Sequence, residues 1–201
     1  MNWRTLLLSP WAKPFMWLLL VLPLVWLTYA AFNDLLGANP AEALTRSTGD
    51  WTLRGLCLVL TVTPLRELTR TPALLRFRRS LGVSTFIYAC LHMLCYAWFD
   101  QGFEFNDIWL DILKRPFIWL GFGGLVCLLP LALTSFNSAI RFLGVKRWQT
   151  LHRLVYAVAV LAVLHFFWMR AGKNDFAEVG VYAAVLGTLL AWRVWKAVQS
   201  R

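Results

Sequence analysis

The side chains best suited to chemistry are the three histidines of the chain, His92, His152 and His165. Each lies inside a long apolar run or at its edge, where an ionisable side chain is costly and usually serves a function. A histidine at such depth can ligate a metal, relay protons or simply hydrogen-bond between packed helices. Because all three lie on only two apolar runs, the pattern favours ligation.

Apolar runs of this kind dominate the chain. Of its 201 residues, 59% are hydrophobic and only 15% are charged, and the mean hydropathy is +0.59. Soluble domains are nearer to about 45–50% apolar and about 25% charged. A soluble fold of this size could not bury so much apolar surface, so the bilayer must act as part of the solvent. The net charge of +10 falls in short clusters between the runs, which is typical of membrane loops rather than of a nucleic-acid surface.

The runs predict an all-α integral membrane protein, a six-helix bundle that forms a single domain over residues 1–201. One crossing needs about 20 apolar residues. The weakest predicted span is the second, because it carries Arg54 near one end and Arg66 and Glu67 near the other. We expect the first span to be retained rather than cleaved as a signal peptide, because its uncharged stretch is long and five spans follow. The predicted spans are about 14–33, 51–68, 80–99, 116–136, 151–169 and 178–196.

Loop charges predict the orientation of these spans. Basic loops alternate with loops that carry the acidic residues, and basic loops face the cytoplasm in most membrane proteins. The alternation holds only if the weak second span is counted, and it places both termini in the cytoplasm. The basic loops after the second and fourth spans contain Arg66, Arg70, Arg76, Arg78 and Arg79, and Arg141, Lys146, Arg147 and Arg153.

Helix rise gives the depth of each histidine. At ~1.5 Å per residue, His92 lies ~16 Å from the cytoplasmic start of the third span, and His165 lies ~21 Å from that of the fifth. His152 lies only ~2 Å in by the same measure. Two imidazoles at similar depth on different helices can ligate one haem iron from both faces. The sequence therefore predicts His92 and His165 as axial ligands of one haem in the outer half of the membrane.

His152 is left near the cytoplasmic surface, and what it binds stays open. No histidine lies opposite it at the start of the third span. A haem with another sixth ligand, a flavin or a quinone would each suit an inner site. Basic side chains there could neutralise haem propionates or a flavin phosphate, or could equally set topology and contact lipid phosphates. These side chains are Arg78, Arg79, Arg147 and Arg153.

Other chemistries suit the same residues less well. A zinc site would need a fourth ligand at that depth. A small transporter or proton channel with cavity-lining histidines is the alternative function, but no acidic side chain accompanies the histidines inside the spans. The cysteines are scattered within apolar runs and indicate small packing residues rather than disulfides or a metal knuckle. They are Cys57, Cys90, Cys95 and Cys127.

An ordered set of short motifs resembles the bacterial MsrQ (YedZ) family. Each motif is weak alone, but the set runs in order with similar spacings over roughly residues 10–196. The motifs lie at 36–40, 48–49, 63–65, 74–82 with 90–92, 115–117, 133–135, 143–156 and 164–165.

The resemblance implies a function that the residues alone do not give. Members of that family belong to the ferric-reductase-like transmembrane group and form the haem-binding subunit of a periplasmic methionine sulfoxide reductase system in the bacterial inner membrane. They are associated with b-type haem and FMN. They pass electrons from the quinone pool or a cytosolic flavin reductase to a molybdopterin-containing periplasmic subunit, which reduces oxidised methionines. The family's three histidines match His92, His152 and His165. The resemblance therefore implies an electron-transfer subunit rather than the subunit that reduces the substrate.

Overall fold

A computed structural model describes residues 3–172 and 174–199, and these residues form helices and turns without any strand. The predicted all-α class is confirmed for this part of the chain. The chain divides into two compact units, one that ends at Phe99 and one that starts at Asp100.

The first unit is built around one antiparallel helix pair. Its helices are α1 (Trp3–Leu8), α2 (Ala12–Phe32), α3 (Pro40–Thr69) and α4 (Leu75–Cys95), with a 3₁₀ turn at Pro72–Leu74 and a π-helical turn at Tyr96–Asp100. Helix α3 packs along α4 in the opposite direction. The side chains of Trp51 and Tyr88 stack with ring centroids 6.1 Å apart in this interface.

Local sequence explains where α3 begins and ends. The Asn39 side chain accepts a hydrogen bond from the Glu42 backbone N–H at 3.1 Å, and Pro40 occupies the first helical position. Both features are typical of a helix start. At the other end, Arg70 adopts a left-handed conformation with φ 51°, which stops the helix.

The second unit contains a second antiparallel pair. Its helices are α5 (Phe105–Lys114), α6 (Pro116–Leu133), α7 (Asn137–Leu143), α8 (Val145–His152), α9 (Leu154–Ala171) and α10 (Ala177–Gln199). Helix α6 packs against α9, and α9 packs against α10. Arg170 near the end of α9 pairs with Asp175 at 2.9 Å and with Glu178 at 2.6 Å, which ties α9 to the start of α10.

Five helical segments among the described residues are long and apolar enough to cross a membrane. The predicted second span is present as the helix α3 but is not one of the five, because charged residues at both of its ends lower its hydropathy. Eight residues of α3 are buried within the protein, so much of this helix contacts protein. The sixth crossing and the side on which the termini lie stay predictions. The five segments are Ala12–Phe32, Pro72–Asp100, Pro116–Leu133, Val145–Ala171 and Ala177–Gln199.

Candidate haem site

His92 lies in the last turn of α4, and the neighbouring helix α3 holds its ring. The Nδ1 atom of His92 lies 2.8 Å from the carbonyl oxygen of Thr45. A carbonyl only accepts hydrogen bonds, so Nδ1 donates the proton and Nε2 is the ring nitrogen with the lone pair. The ring lies against Gly49, one turn after Thr45, where a Cβ atom would be 3.1 Å from the ring atoms Cε1 and Nδ1.

His165 is held in the same way in the other unit. It lies on α9, and its Nδ1 atom donates to the carbonyl oxygen of Phe117 on α6 at 2.5 Å. Gly121, one turn after Phe117, faces the ring, and a Cβ atom there would lie 2.9 Å from Cε1 and Nδ1. The tautomer of His165 is therefore the same as that of His92.

One arrangement thus occurs twice in the molecule. In each unit a carbonyl acceptor and a glycine four residues later lie on one helix, and the histidine lies on its antiparallel neighbour. The acceptor precedes the histidine by 47 residues in the first unit and by 48 in the second. Metal-ligating histidines almost always donate their second ring N–H to a carbonyl, carboxylate or water, which fixes the ring. Both settings have this property.

His152 differs because its own helix holds it. It is the last residue of α8, and its Nδ1 atom donates to the carbonyl oxygen of Trp148 at 3.0 Å, one turn earlier. The ring lies against the indole of Trp148, with centroids 3.9 Å apart. The indole N–H in turn donates to the carbonyl oxygen of Thr134 at 2.9 Å. The Nε2 atom of His152 is buried.

The arginines predicted to contact an inner cofactor lie in both units. Arg78 and Arg79 lie on α4, Arg147 lies on α8, and Arg153 lies at the break between α8 and α9. Arg78 is half-buried and the other three are exposed. The histidines are divided likewise: one lies in the first unit and two in the second. The pairing of His92 with His165, and the role of the four arginines, stay predictions.

The side chains near each histidine suit haem better than a bare metal ion. Within the described residues, no group of three or more His, Cys, Asp and Glu side chains could hold a metal ion. The four cysteines form no disulfide with one another. A porphyrin supplies the equatorial nitrogens itself and asks the protein only for axial ligands. One oriented imidazole per site therefore fits the protein's share of haem ligation.

The residues that orient the rings were not identified by sequence reasoning. Thr45 and Phe117 act through backbone carbonyls, which carry no sequence signal. Gly121 gives a partial sequence signal for close packing, because a glycine inside a membrane helix often lets a neighbouring helix approach closely. Trp148 matched the interfacial pattern of membrane tryptophans, yet its indole contacts His152 and the backbone of Thr134.

Comparisons with known proteins show the family of this chain. The family described as the ferric reductase like transmembrane component matches residues 48–163, more than half of the chain. A Polaromonas naphthalenivorans protein named protein-methionine-sulfoxide reductase heme-binding subunit MsrQ is 63% identical over 189 residues, which cover 94% of this chain and 86% of that protein. The chain belongs to the MsrQ family. The resemblance seen in the motifs is therefore confirmed.

Other relatives carry the same name. The Ralstonia nicotianae protein is 52% identical over 89% of this chain and 82% of its own length. The Herminiimonas arsenicoxydans protein is 48% identical over 94% of this chain and 87% of its own length. No solved structure matches the chain.

Proposed function

We propose that this protein is a haem-binding electron-transfer subunit of a methionine sulfoxide reductase system in the bacterial inner membrane. The observation that carries the proposal is that two histidines on separate helices each donate Nδ1–H to a backbone carbonyl of a neighbouring helix. The names of the MsrQ relatives, which are heme-binding subunits, support the cofactor and the system.

His92 and His165 are the proposed axial ligands of one b-type haem. The position of each acceptor within its own helix supports this proposal: Thr45 lies near the start of α3, and Phe117 lies near the start of α6. In the predicted topology both helices start on the periplasmic side. Each ring would then lie in the outer half of the bilayer, in agreement with the depth calculated from helix rise.

The chain's own residues orient the proposed ligands. The two carbonyls fix the Nδ1–H tautomer, and each ring is half-buried against the neighbouring helix. Bound haem supplies one-electron chemistry at this level. The substrate chemistry belongs to a partner, which we propose is a periplasmic molybdopterin-containing subunit that reduces oxidised methionines.

The inner site around His152 is the proposed point where electrons enter. The donor would be the quinone pool or a cytosolic flavin reductase, and the inner cofactor a second haem with another sixth ligand, FMN or a bound quinone. Six crossings with both termini in the cytoplasm complete the proposed topology. The basic residues near this end would contact propionates or a phosphate; they are Arg78, Arg79, Arg147 and Arg153.

Difference spectroscopy of the purified protein tests the proposal. Dithionite-reduced minus oxidised spectra of the wild type should show a b-type band. The variants His92→Ala and His165→Ala should each lose the bis-histidine spectrum, because each removes one axial ligand. The matched control Cys90→Ala, on the same helix as His92, should keep it. A wild type without a b-type band, or normal spectra in both histidine variants, would contradict the proposal.

A further inference from the structure

Gly49 and Gly121 occupy equivalent places in the two helix pairs. We propose that both glycines are positioning residues for haem ligation, an inference that rests on the proposed function. By lacking a side chain, each lets an imidazole lie against the helix backbone and donate Nδ1–H to the carbonyl one turn earlier. Nε2 is then the nitrogen with the lone pair and would be the atom that ligates a haem iron.

The space beside each glycine is too small for a methyl group. A Cβ at position 49 would lie 3.1 Å from two atoms of the His92 ring, which is tighter than nine in ten Cβ contacts in proteins. At position 121 the same atom would lie 2.9 Å from the His165 ring, a separation that proteins essentially never show. An alanine would therefore move the ring away from the carbonyl that it contacts. The effect should be larger at position 121, where the hydrogen bond is also shorter.

Other glycines of the same helix pairs do not share this role. A Cβ at Gly123 or Gly124 would meet only Leu161, at an ordinary 3.9 Å, and one at Gly82 would meet nothing within 4 Å. Gly55 packs tightly, but against Thr85 rather than a histidine. Close contact with a histidine ring is thus specific to the two proposed positions, and Gly55 separates helix packing from ligand positioning.

The hydrogen bond that each glycine permits changes the electronic character of the ligand. Donation of Nδ1–H to a carbonyl makes Nε2 more basic. A more basic axial ligand stabilises ferric over ferrous haem. When the ring shifts and this hydrogen bond lengthens, the midpoint potential should rise, and the low-spin electron paramagnetic resonance (EPR) signal should change because the ring plane has turned.

The experiment uses the full-length haem-loaded protein with Gly49→Ala, Gly121→Ala and three control variants. Both test variants should shift the low-spin EPR signal and raise the midpoint potential. Both should also lower haem affinity by ~10–100-fold, the usual loss when a ligating histidine loses its hydrogen-bond partner. Gly82→Ala and Gly123→Ala should match the wild type. Gly55→Ala should lower the unfolding temperature but leave the EPR signal of the retained haem unchanged.

Two outcomes would overturn the inference. One is a wild-type EPR signal, midpoint potential and haem content in both test variants. The other is a signal in Gly55→Ala that shifts as much as in the test variants, which would make the effect one of helix packing. The proposed function fails separately, through a wild type without a b-type band or through normal spectra in both His92→Ala and His165→Ala.

Ligand replacement gives an answer even if an alanine variant is not recovered. In His165→Gly, added imidazole can bind iron and also donate an N–H to the Phe117 carbonyl. We expect imidazole and 4-methylimidazole to restore the low-spin signal, and 1-methylimidazole, which lacks the N–H, to restore it poorly or with a shifted signal. The methyl group of 4-methylimidazole controls for size. Equal restoration by all three would contradict the role of the carbonyl.

Discussion

The helix pairs around His92 and His165 hold their histidines differently from the region around His152. In the pairs, the acceptor and the supporting glycine lie on a neighbouring helix, so the ring position depends on how two helices pack. At His152, both the acceptor and the stacked indole belong to Trp148, one turn earlier on the same helix. The positions of His92 and His165 therefore depend on helix packing, whereas that of His152 depends on one turn of its own helix.

This difference has a consequence for rigidity. The helix pairs are packed around fully buried side chains such as Leu60 at 0% exposure and Ala159 at 0%. A ring anchored across such an interface is preorganised for one ligand geometry. His152, in contrast, ends α8 just before the break at Arg153, and its indole support is tied to the preceding segment by one hydrogen bond to Thr134. We therefore expect the His152 ring to adjust to a proposed inner cofactor more easily than the other two rings.

The largest effect is expected from removing His152, which tests whether its region is independent of the two helix pairs. His152→Ala should lose the inner cofactor and reduce electron delivery from the cytoplasmic donor to background, while the low-spin EPR signal assigned to His92 and His165 stays intact. The reason is that neither outer acceptor, Thr45 or Phe117, belongs to α8. Haem and flavin per polypeptide, with EPR on the same sample, measure both effects.

The outcome of this variant can also refute the division into two regions. If His152→Ala abolished the low-spin signal and His92→Ala preserved it, the ligand pair would be wrongly assigned. Reduction by dithionite serves as the control, because a small reductant should still reduce the outer haem when the natural donor cannot.

A smaller effect on cofactor binding is expected from replacing Trp148, whose indole lies against His152. Trp148→Leu removes the ring stacked on the imidazole and the N–H bonded to Thr134, so occupancy of the inner cofactor should fall by ~10-fold, the lower end for loss of such support. Trp148→Phe keeps an aromatic ring and should retain more cofactor. The lost hydrogen bond alone should lower the free energy of unfolding by about 0.5–1.5 kcal/mol.

Cofactor titration and thermal unfolding of both variants test this expectation. The low-spin signal of the outer haem should be the same as in the wild type. If cofactor occupancy fell equally in the leucine and phenylalanine variants, the aromatic ring would contribute nothing and only the indole N–H would matter.

The regularity of membrane helices explains which parts of the fold could be predicted. Uncharged runs predicted helices at α2, α4, α6, α9 and α10, because a spanning segment must be both apolar and helical. Their ends were less accurate: α4 begins at Leu75 rather than near residue 80. Charge ends a membrane span, but it does not end a helix. The break at Arg153 and the short helix α5 also lay outside what span length can reveal.

The candidate site also contains residues that the sequence could identify and residues that it could not. The three histidines were identifiable because an ionisable residue inside an apolar run is rare. Their acceptors were not, since every helical residue carries a carbonyl and only the register between two helices decides which one meets the imidazole. A glycine four residues after an unknown acceptor becomes informative only when the antiparallel partner is known, as Gly49 and Gly121 show.

The smallest expected effect tests whether contacts of α4 with a helix other than α3 also matter for His92. Tyr88 lies one turn before His92 on α4 and donates its hydroxyl to the carbonyl oxygen of Leu20 on α2 at 2.7 Å. Tyr88→Phe should lower the free energy of unfolding by only ~0.6 kcal/mol, the average for a side-chain hydrogen bond inside a membrane bundle. The haem spectrum and midpoint potential should not change, because the hydrogen bond from Tyr88 to α2 is separate from the contacts of His92 with Thr45 and Gly49.

Thermal unfolding and a redox titration of Tyr88→Phe, run beside Gly49→Ala, make this a direct test. Tyr88→Phe removes a hydrogen bond between α4 and α2 but keeps the aromatic ring that stacks on Trp51. Gly49→Ala disturbs the ring of His92 against α3. If the phenylalanine variant shifted the midpoint potential as far as the alanine variant, positioning of His92 would depend on the packing of the whole first unit. If only the alanine variant shifts it, positioning of His92 depends on its contacts with α3 and not on the hydrogen bond between α4 and α2.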